Sequence, residues 1–281
     1  MKDAKPKDDK TAQENYPQTL ADIIKIDLHI HSKSSEYKDG NIVSQSTTSN
    51  LDTLIQKLEE NEISLCAITD HNRFDYELYK ALKEKIAASK GIIKKNLPGI
   101  EFDVQLEDNK RNCHIIAIFD DSNEHKLKAI QQSITKVKLL KDPNETYDIA
   151  TFENILKEIG LRTLLIVHQR QGLDNNKGDS DSLSGATSNP SHFIKTGFID
   201  CLEYNYPRVE GIVKNSLKDI GVDFPLITGS DCHEWSAYPY HDSSSDKKSR
   251  DFTQFKCLPT FKGLLLALTS FNTRVNRNAN H

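Results

Sequence analysis

Several things this sequence has little of narrow its class before any motif is read. No apolar run approaches the ~18–20 residues of a membrane-spanning helix, so neither a span nor a membrane partner is expected. The opening residues, M-K-D-A-K-P-K-D-D-K, carry charge where a secretory signal would carry an apolar core; the cytoplasm is the expected location. Basic charge is not in excess: 37 Lys and Arg stand against 41 Asp and Glu, for a net charge of −4. A global field drawing in nucleic acid is therefore excluded, although a local basic groove is not. Aromatic residues make up 7% of the chain and are not interleaved with basic ones as a single-strand stacking platform requires. The five cysteines, Cys66, Cys113, Cys201, Cys232 and Cys257, form no C-x-x-C pair. Their odd number, and the apolar runs around three of them, point to reduced thiols acting as small hydrophobes rather than to a disulfide framework. No G-x-x-x-x-G-K-[ST] occurs, so the chain is not itself a P-loop ATPase.

What is present is organised around residues 23–32, I-I-K-I-D-L-H-I-H-S. Isoleucine and leucine alternate here with Asp27, His29 and His31, and a side-chain period of two puts those three on one face of a strand. A strand end carrying three polar, metal-capable groups suggests a metal site, because neutral imidazoles and carboxylates bind divalent ions.

The remaining chain alternates strand-like and helix-like segments. Residues 1–18 lack apolar periodicity and read as a disordered arm; 19–281 read as one domain. Short apolar strands are expected near 23–31, 64–69, 97–104, 114–119, 161–167, 198–204 and 224–228. Leu51, Leu54, Ile55 and Leu58 have helical spacing, as do Leu127, Ile130, Ile134 and Val137, and Phe152, Ile155, Leu156 and Ile159. Further helices are expected over 74–88, 209–220 and 260–269, and a long polar loop over 169–190. Repeated β-α units imply an α/β fold with a parallel sheet, open or closed into a barrel. In either form sites gather at the carboxyl ends of the strands.

The polar residues follow that rule. His29 and His31 end the first strand, Asp70 and His71 follow the second, and Glu101 lies late in the third. His168 ends the fifth, and Asp231 and His233 follow the seventh. His114 is the exception, standing at the start of its strand. Such convergence suits a multinuclear site in which a carboxylate bridges two ions, which together clamp a phosphate and activate a water.

These segments, D-L-H-I-H-S (27–32), I-T-D-H-N (68–72), P-G-I-E-F (98–102), C-H-I-I-A-I-F (113–119), I-V-H-Q-R (166–170) and G-S-D-C-H (229–233), resemble the polymerase-and-histidinol-phosphatase (PHP) superfamily of metal-dependent phosphoesterases, in the family's order. The resemblance implies a distorted seven-stranded (β/α)7 barrel with a metal cleft at the strand ends. It implies two or three divalent ions, of manganese, zinc or iron. Carried over, His29, His31, Glu101 and Asp231 would hold one ion. Glu101 would bridge to a second with His114 and His168, and His71 and His233 would hold a third. One more ligand would come from the loop after the first strand, Asp39 or its competitor Glu36. The C-terminal segment L-P-T-F-K-G-L-L-L-A-L…R-V (258–275) resembles the end of PHP domains fused to SMC-like or AAA-like ATPases, which implies an ATPase partner in trans and a role in DNA maintenance or phage defence. A helix that seals the barrel would account for the same apolar residues.

The reaction so implied is hydrolysis of a phosphate ester by metal-activated water, with His233 or His71 as acid toward the leaving group. Arg170, directly after His168, is the best phosphate clamp, since a guanidinium binds phosphate bidentately; Arg73 is a weaker one. The substrate could be a phosphorylated small molecule, a nucleotide or nucleic acid. A non-catalytic metal-binding module acting with an ATPase, and a metal-dependent amidohydrolase on a related barrel, are the competing readings.

Overall fold

The computed structural model describes residues 22–173, 181–245 and 251–276; the expected arm over 1–18 lies outside them. All seven expected strands form, and three short ones join them in a single ten-stranded sheet. In chain order the strands are β1 (Ile23–Ile30), β2 (Ile63–Ile68), β3 (Lys95–Gln105), β4 (Cys113–Phe119), β5 (Tyr147–Asp148), β6 (Thr163–His168), β7 (Cys201–Tyr204), β8 (Leu226–Thr228), β9 (Gln254–Lys256) and β10 (Val275–Asn276). They lie in the order β10-β9-β1-β2-β3-β4-β6-β7-β8, with β5 beside β3.

The sheet curls. Beyond β8 the chain returns to the end of β1, where Ile30 bridges Cys232, His31 N donates to Cys232 O at 2.8 Å, and Asp231 N donates to His29 O at 2.9 Å. This differs from the expected (β/α)7 barrel in two ways. Among the described residues it is the segment after β8 that meets β1, through a single bridge rather than a ladder. The sheet is also mixed rather than parallel, because β4 runs antiparallel to both β3 and β6. The physical reason is loop length. Seven residues, 106–112, separate β3 from β4, too few for the dozen or more that a parallel crossover needs. The short connection therefore folds as a hairpin.

Alternation along each strand sorts side chains onto the two faces. On β4, Ile116 and Ile118 point into the curled interior, together with Leu164 and Ile166 of β6 and Ile26 and Leu28 of β1. Ile115, Ala117 and Phe119 point outward, against the helices Glu124–Val137 and Ile149–Ile159. A third cluster lies between β1, β2 and the helices Leu51–Glu60 and Tyr76–Ala88. Asp75, Asn123 and Asp148 cap three of these helices, each accepting from a backbone N–H in the first turn. Gly160 ends the helix Ile149–Ile159 at φ 61°, a left-handed conformation that glycine adopts without steric cost. The helix Phe261–Thr269 buries Phe261, Leu264, Ala267 and Leu268 against Ile24, Ile26 and Phe255, and so closes the interior beside the start of β1. Its apolar residues are thus used in sealing the core, apart from Leu266, which is exposed.

One expectation about β1 fails. Its pairing with β2 slips between Asp27 and Ile30. Leu28 packs inward, while Ile30 joins the outer cluster. Asp27 therefore does not share a face with His29 and His31. It accepts from Tyr238 Oη at 2.8 Å and from Ser230 N at 3.1 Å, on the outer side. A register slip of one residue is enough to reverse facing.

The outward layer makes one residue a measure of core cohesion. Phe102 is fully buried, edge-on to Tyr147 and Phe152 at ring-centroid distances of 5.9 and 5.2 Å. Phe102→Ala should cost about 3–5 kcal/mol of unfolding free energy, read from urea denaturation. A loss under about 1 kcal/mol would show that β3 and the helix behind it are not a packed unit.

Candidate metal centre

Strand register brings the polar residues together. Asp103 of β3 stands opposite His114 of β4, His168 of β6 stands opposite Glu203 of β7, and His71 bridges Glu101. The antiparallel course of β4 resolves the anomaly of His114. The first residue of an antiparallel strand lies beside the last residues of its neighbours, so His114 reaches the same rim as His168.

All nine expected donors, His29, His31, Asp39, His71, Glu101, His114, His168, Asp231 and His233, meet in one cleft. Atoms sharing an ion at about 2.1 Å stand roughly 3.0–3.4 Å apart at octahedral or tetrahedral angles, and several spacings here match. His29 Nε2 lies 3.3 Å from Glu101 Oε1, 3.4 Å from Asp231 Oδ1 and 3.0 Å from His31 Nε2. His31 Nε2 is 3.3 Å from Glu101 Oε2 and 3.4 Å from Asp231 Oδ1. Asp39 is 3.4 Å from His71 Nε2 through Oδ1 and 3.4 Å from His233 Nε2 through Oδ2. Glu101 Oε1 also lies 2.8 Å from His114 Nδ1 and 3.5 Å from His168 Nε2. The tight clusters divide differently from the sets expected by resemblance: His168 groups with His29 and Glu101, whereas His114 groups with His71 and Asp103.

The donor set fits divalent cations on grounds of satisfaction. Asp39 Oδ2, His71 Nδ1 and both oxygens of Glu101 are buried without a hydrogen-bond partner among the described residues. Orphaned buried oxygens and ring nitrogens are costly unless a cation or proton joins them. The Nε2 atoms of His29 and His31 face each other at 3.0 Å, so that a single proton or a shared cation between them serves both rings.

A second layer fixes these side chains. Asp70 accepts from Ser32 N and Ser32 Oγ, both at 2.6 Å, and from Ser35 Oγ at 2.9 Å. Ser35 Oγ in turn accepts from His71 N at 2.9 Å. Asn72 donates to Asp103 at 2.6 Å, Lys38 pairs with the same carboxylate, and Trp235 Nε1 donates to His31 O at 2.7 Å. Asn72 and Asp231 both sit at φ 53° without being glycine, a strained conformation of the kind that concentrates at functional sites. The layer also decides between candidates. Asp39 faces His31, His71 and His233, while Glu36 is exposed. Arg73 donates to the carbonyls of Asn72 and Leu140 and lies 4.3 Å over the Tyr37 ring, so it is committed outside the cleft. Arg170 lines the cleft with Nη2 3.2 Å from Asp231 Oδ2.

Electrostatics follow from this crowding. Burial opposes charge on His31, but the carboxylates of Asp231, Glu101 and Asp39 around it push its pKa up to about 10. Burial likewise opposes charge on His114, which Glu101 and Asp103 raise to about 10. Burial would lift the carboxyl of Glu101, yet His114, His71 and His29 hold it well below the usual range. Asp231 is held well below in the same way by His29, His31 and His233. Burial keeps His168 below the ordinary imidazole value.

In front of the donors lies a cavity of about 460 Å³. Its wall holds His71, His114, His233, Asp231 and Arg170, faced by Asn112, Asn144, Thr146, Asp181 and His241. Four of the residues around the centre went unassigned in the sequence. Asp103 and Glu203 were accessible to it, the first by standing two residues from Glu101 on one strand face, the second by ending a strand. Asp181 and His241 come from polar loops, where no periodicity announces a direction.

Protonation predicts a linkage. His31 and His114 have raised values in the folded, metal-free protein, so their charged forms stabilise it below the unfolded pKa of about 6.5. That contribution fades as pH rises through about 10. Since a metal needs both rings neutral, Mn²⁺ titrated into metal-free protein at pH 7 should release protons, and its apparent affinity should rise from pH 6.5 to 8.5. Calorimetry in two buffers of different ionisation enthalpy measures this; a heat independent of buffer would contradict the assignment of charge.

No family model matches the chain, and no curated protein matches it. Solved structures with a similar course include PsfC from Pseudomonas syringae, at 12% identity over 92% of each chain with a TM-score of 0.48. A protein from Bifidobacterium adolescentis, provisionally assigned as a metal-dependent phosphoesterase, is 15% identical over 79% of this chain and 92% of that one, with a TM-score of 0.45. An amidohydrolase from Chromobacterium violaceum, with bound sulfate and no metal, is 15% identical over 91% of this chain and 99% of that one, with a TM-score of 0.44. Likeness at this level does not extend to chemistry, which rests here on the residues themselves.

Proposed function

We propose that this protein is a metal-dependent phosphoesterase that hydrolyses a small phosphorylated molecule. The observation that carries the reading is the meeting of nine donors from seven chain segments at coordination-edge spacings, with both oxygens of the buried Glu101 left for cations. Divalent ions held there would supply Lewis acidity toward phosphoryl oxygens and an activated water. His29, His31, Glu101 and Asp231 form the innermost set, and Glu101 reaches on toward His114 and His168. Asp39, His71 and His233 form the outer set nearest the cavity. Arg170 stands beside Asp231 at the cavity wall, where its guanidinium can bind a phosphate oxygen bidentately. His71 and His233 line the same cavity, and either one, when its Nε2 is not engaged as a ligand, can pass a proton to the departing oxygen.

The cavity supports a compact substrate over a polynucleotide. The fixed cations among the described lining residues, Lys38 and Arg170, are both paired with carboxylates. Among the described lining residues only imidazoles offer rings for stacking. A polyanion held along a groove needs a basic track and stacking surfaces instead.

The test is hydrolysis of a generic nitrophenyl phosphate with added Mn²⁺ by the purified chain and by His29→Ala and Asp231→Asn. Loss of a direct ligand should cost more than the 10–100-fold typical of outer-sphere changes, so both variants should fall by over roughly a hundredfold. Activity equal to the parent protein in both would refute the reading. Bound metal without turnover would instead favour a non-catalytic metal-binding module.

A further inference from the structure

Glu203 ends β7 directly opposite His168 and is buried, with 6% of its side chain exposed. Its Oε1 lies 2.9 Å from His29 Nδ1 and 3.0 Å from His168 Nε2. The other ring nitrogen of His29, Nε2, is the one that faces Glu101, Asp231 and His31. An imidazole that turns a lone pair toward a cation from Nε2 must carry its proton on Nδ1. An acceptor set against that N–H holds both the tautomer and the ring orientation, and raises the basicity of the ligating nitrogen.

The packing makes room for this carboxylate at one specific place. Glu203 Oε2 has no hydrogen-bond partner among the described residues and sits over Gly229. A Cβ at that position would collide with Oε2 and come within 2.8 Å of His29 Cβ. Glycine in G-S-D-C-H therefore lets the carboxylate slide beneath the histidine.

We propose that Glu203 is a positioning residue for the metal centre. It accepts the Nδ1–H of His29 and so keeps Nε2 aimed at the innermost donor set. The proposal rests on the reading of the cleft as a metal site. It adds a residue outside the nine donors.

The test uses Zn²⁺ as the probe on the full chain, with affinity measured by competition against a chromophoric chelator. Glu203→Ala should lower Zn²⁺ affinity by roughly 10–100-fold. Glu203→Gln should lose less, because its amide oxygen still accepts from Nδ1–H. Gly229→Ala should weaken binding in the parent and weaken it less in the Glu203→Ala background, where only the contact with His29 Cβ remains. In the Zn²⁺-loaded parent, the His29 Nδ1–H should give a slowly exchanging proton resonance that Glu203→Ala removes. Glu203→Met, which fills the volume without an acceptor, replaces Glu203→Ala if that variant does not fold. Parent-like affinity in the alanine or methionine variant would overturn this proposal alone. Loss in the glutamine variant as large as in alanine would overturn it in favour of direct ligation by Glu203. A parent protein that takes up no Zn²⁺ would overturn it together with the phosphoesterase reading.

Discussion

The structure depends on one electrostatic constraint: a cluster of imidazoles and carboxylates is held out of water at the rim of a closely packed sheet. Removing a carboxylate from water without a partner costs several kcal/mol. Glu101, Asp103 and Asp231 are nonetheless buried or nearly so beside His29, His31, His71 and His114. The histidines balance those charges, and the carboxylates in turn push the pKa values of His31 and His114 up to about 10. The same donors released to cations would be relieved of that proton load. Folding and metal uptake are thus two ways of balancing one set of charges.

The scaffold is built to hold that cluster still. Alternating strand residues pack on both faces of the sheet, so the rim residues extend from strands that cannot rotate. Around the rim, several groups are fastened by neighbours outside the donor set. Asp70 gathers Ser32 and Ser35, Asn72 and Lys38 hold Asp103, and Trp235 grips the backbone of His31. Outer contacts of this kind orient first-sphere ligands and tune them. Two non-glycine residues in left-handed conformations, Asn72 and Asp231, show that local backbone preference yields to this arrangement.

Among the described residues the wall of the cavity is polar, and Lys38 and Arg170 on it have carboxylate partners. The proposed function takes its preference for a compact phosphate from that character. The segment 258–275, whose resemblance suggested an ATPase partner, spends Phe261, Leu264, Ala267 and Leu268 on the protein's own core.

Much of this was legible in the chain before folding. The seven principal strands and most helices follow from periodicities of 2 and about 3.6, which are local properties. Placing H-x-H, D-H, Glu101, His168 and D-x-H at strand ends needs only those periodicities and the rule that sites gather at carboxyl ends. What periodicity cannot carry is which strand lies beside which, and in what register. The slip in β1 that turns Asp27 away from His29 is set by pairing with β2, and the reversal of β4 is set by a connection too short to cross over. The choice of Asp39 over Glu36, the loss of Arg73 to carbonyls outside the cleft, and the meeting of Glu203 with His29 across 174 positions are contacts between distant segments. The sequence by itself determined which chemical groups end each strand, because side-chain alternation is a local matter. Only the tertiary structure decided which of them touch, because that depends on how separate strands are registered around the curl.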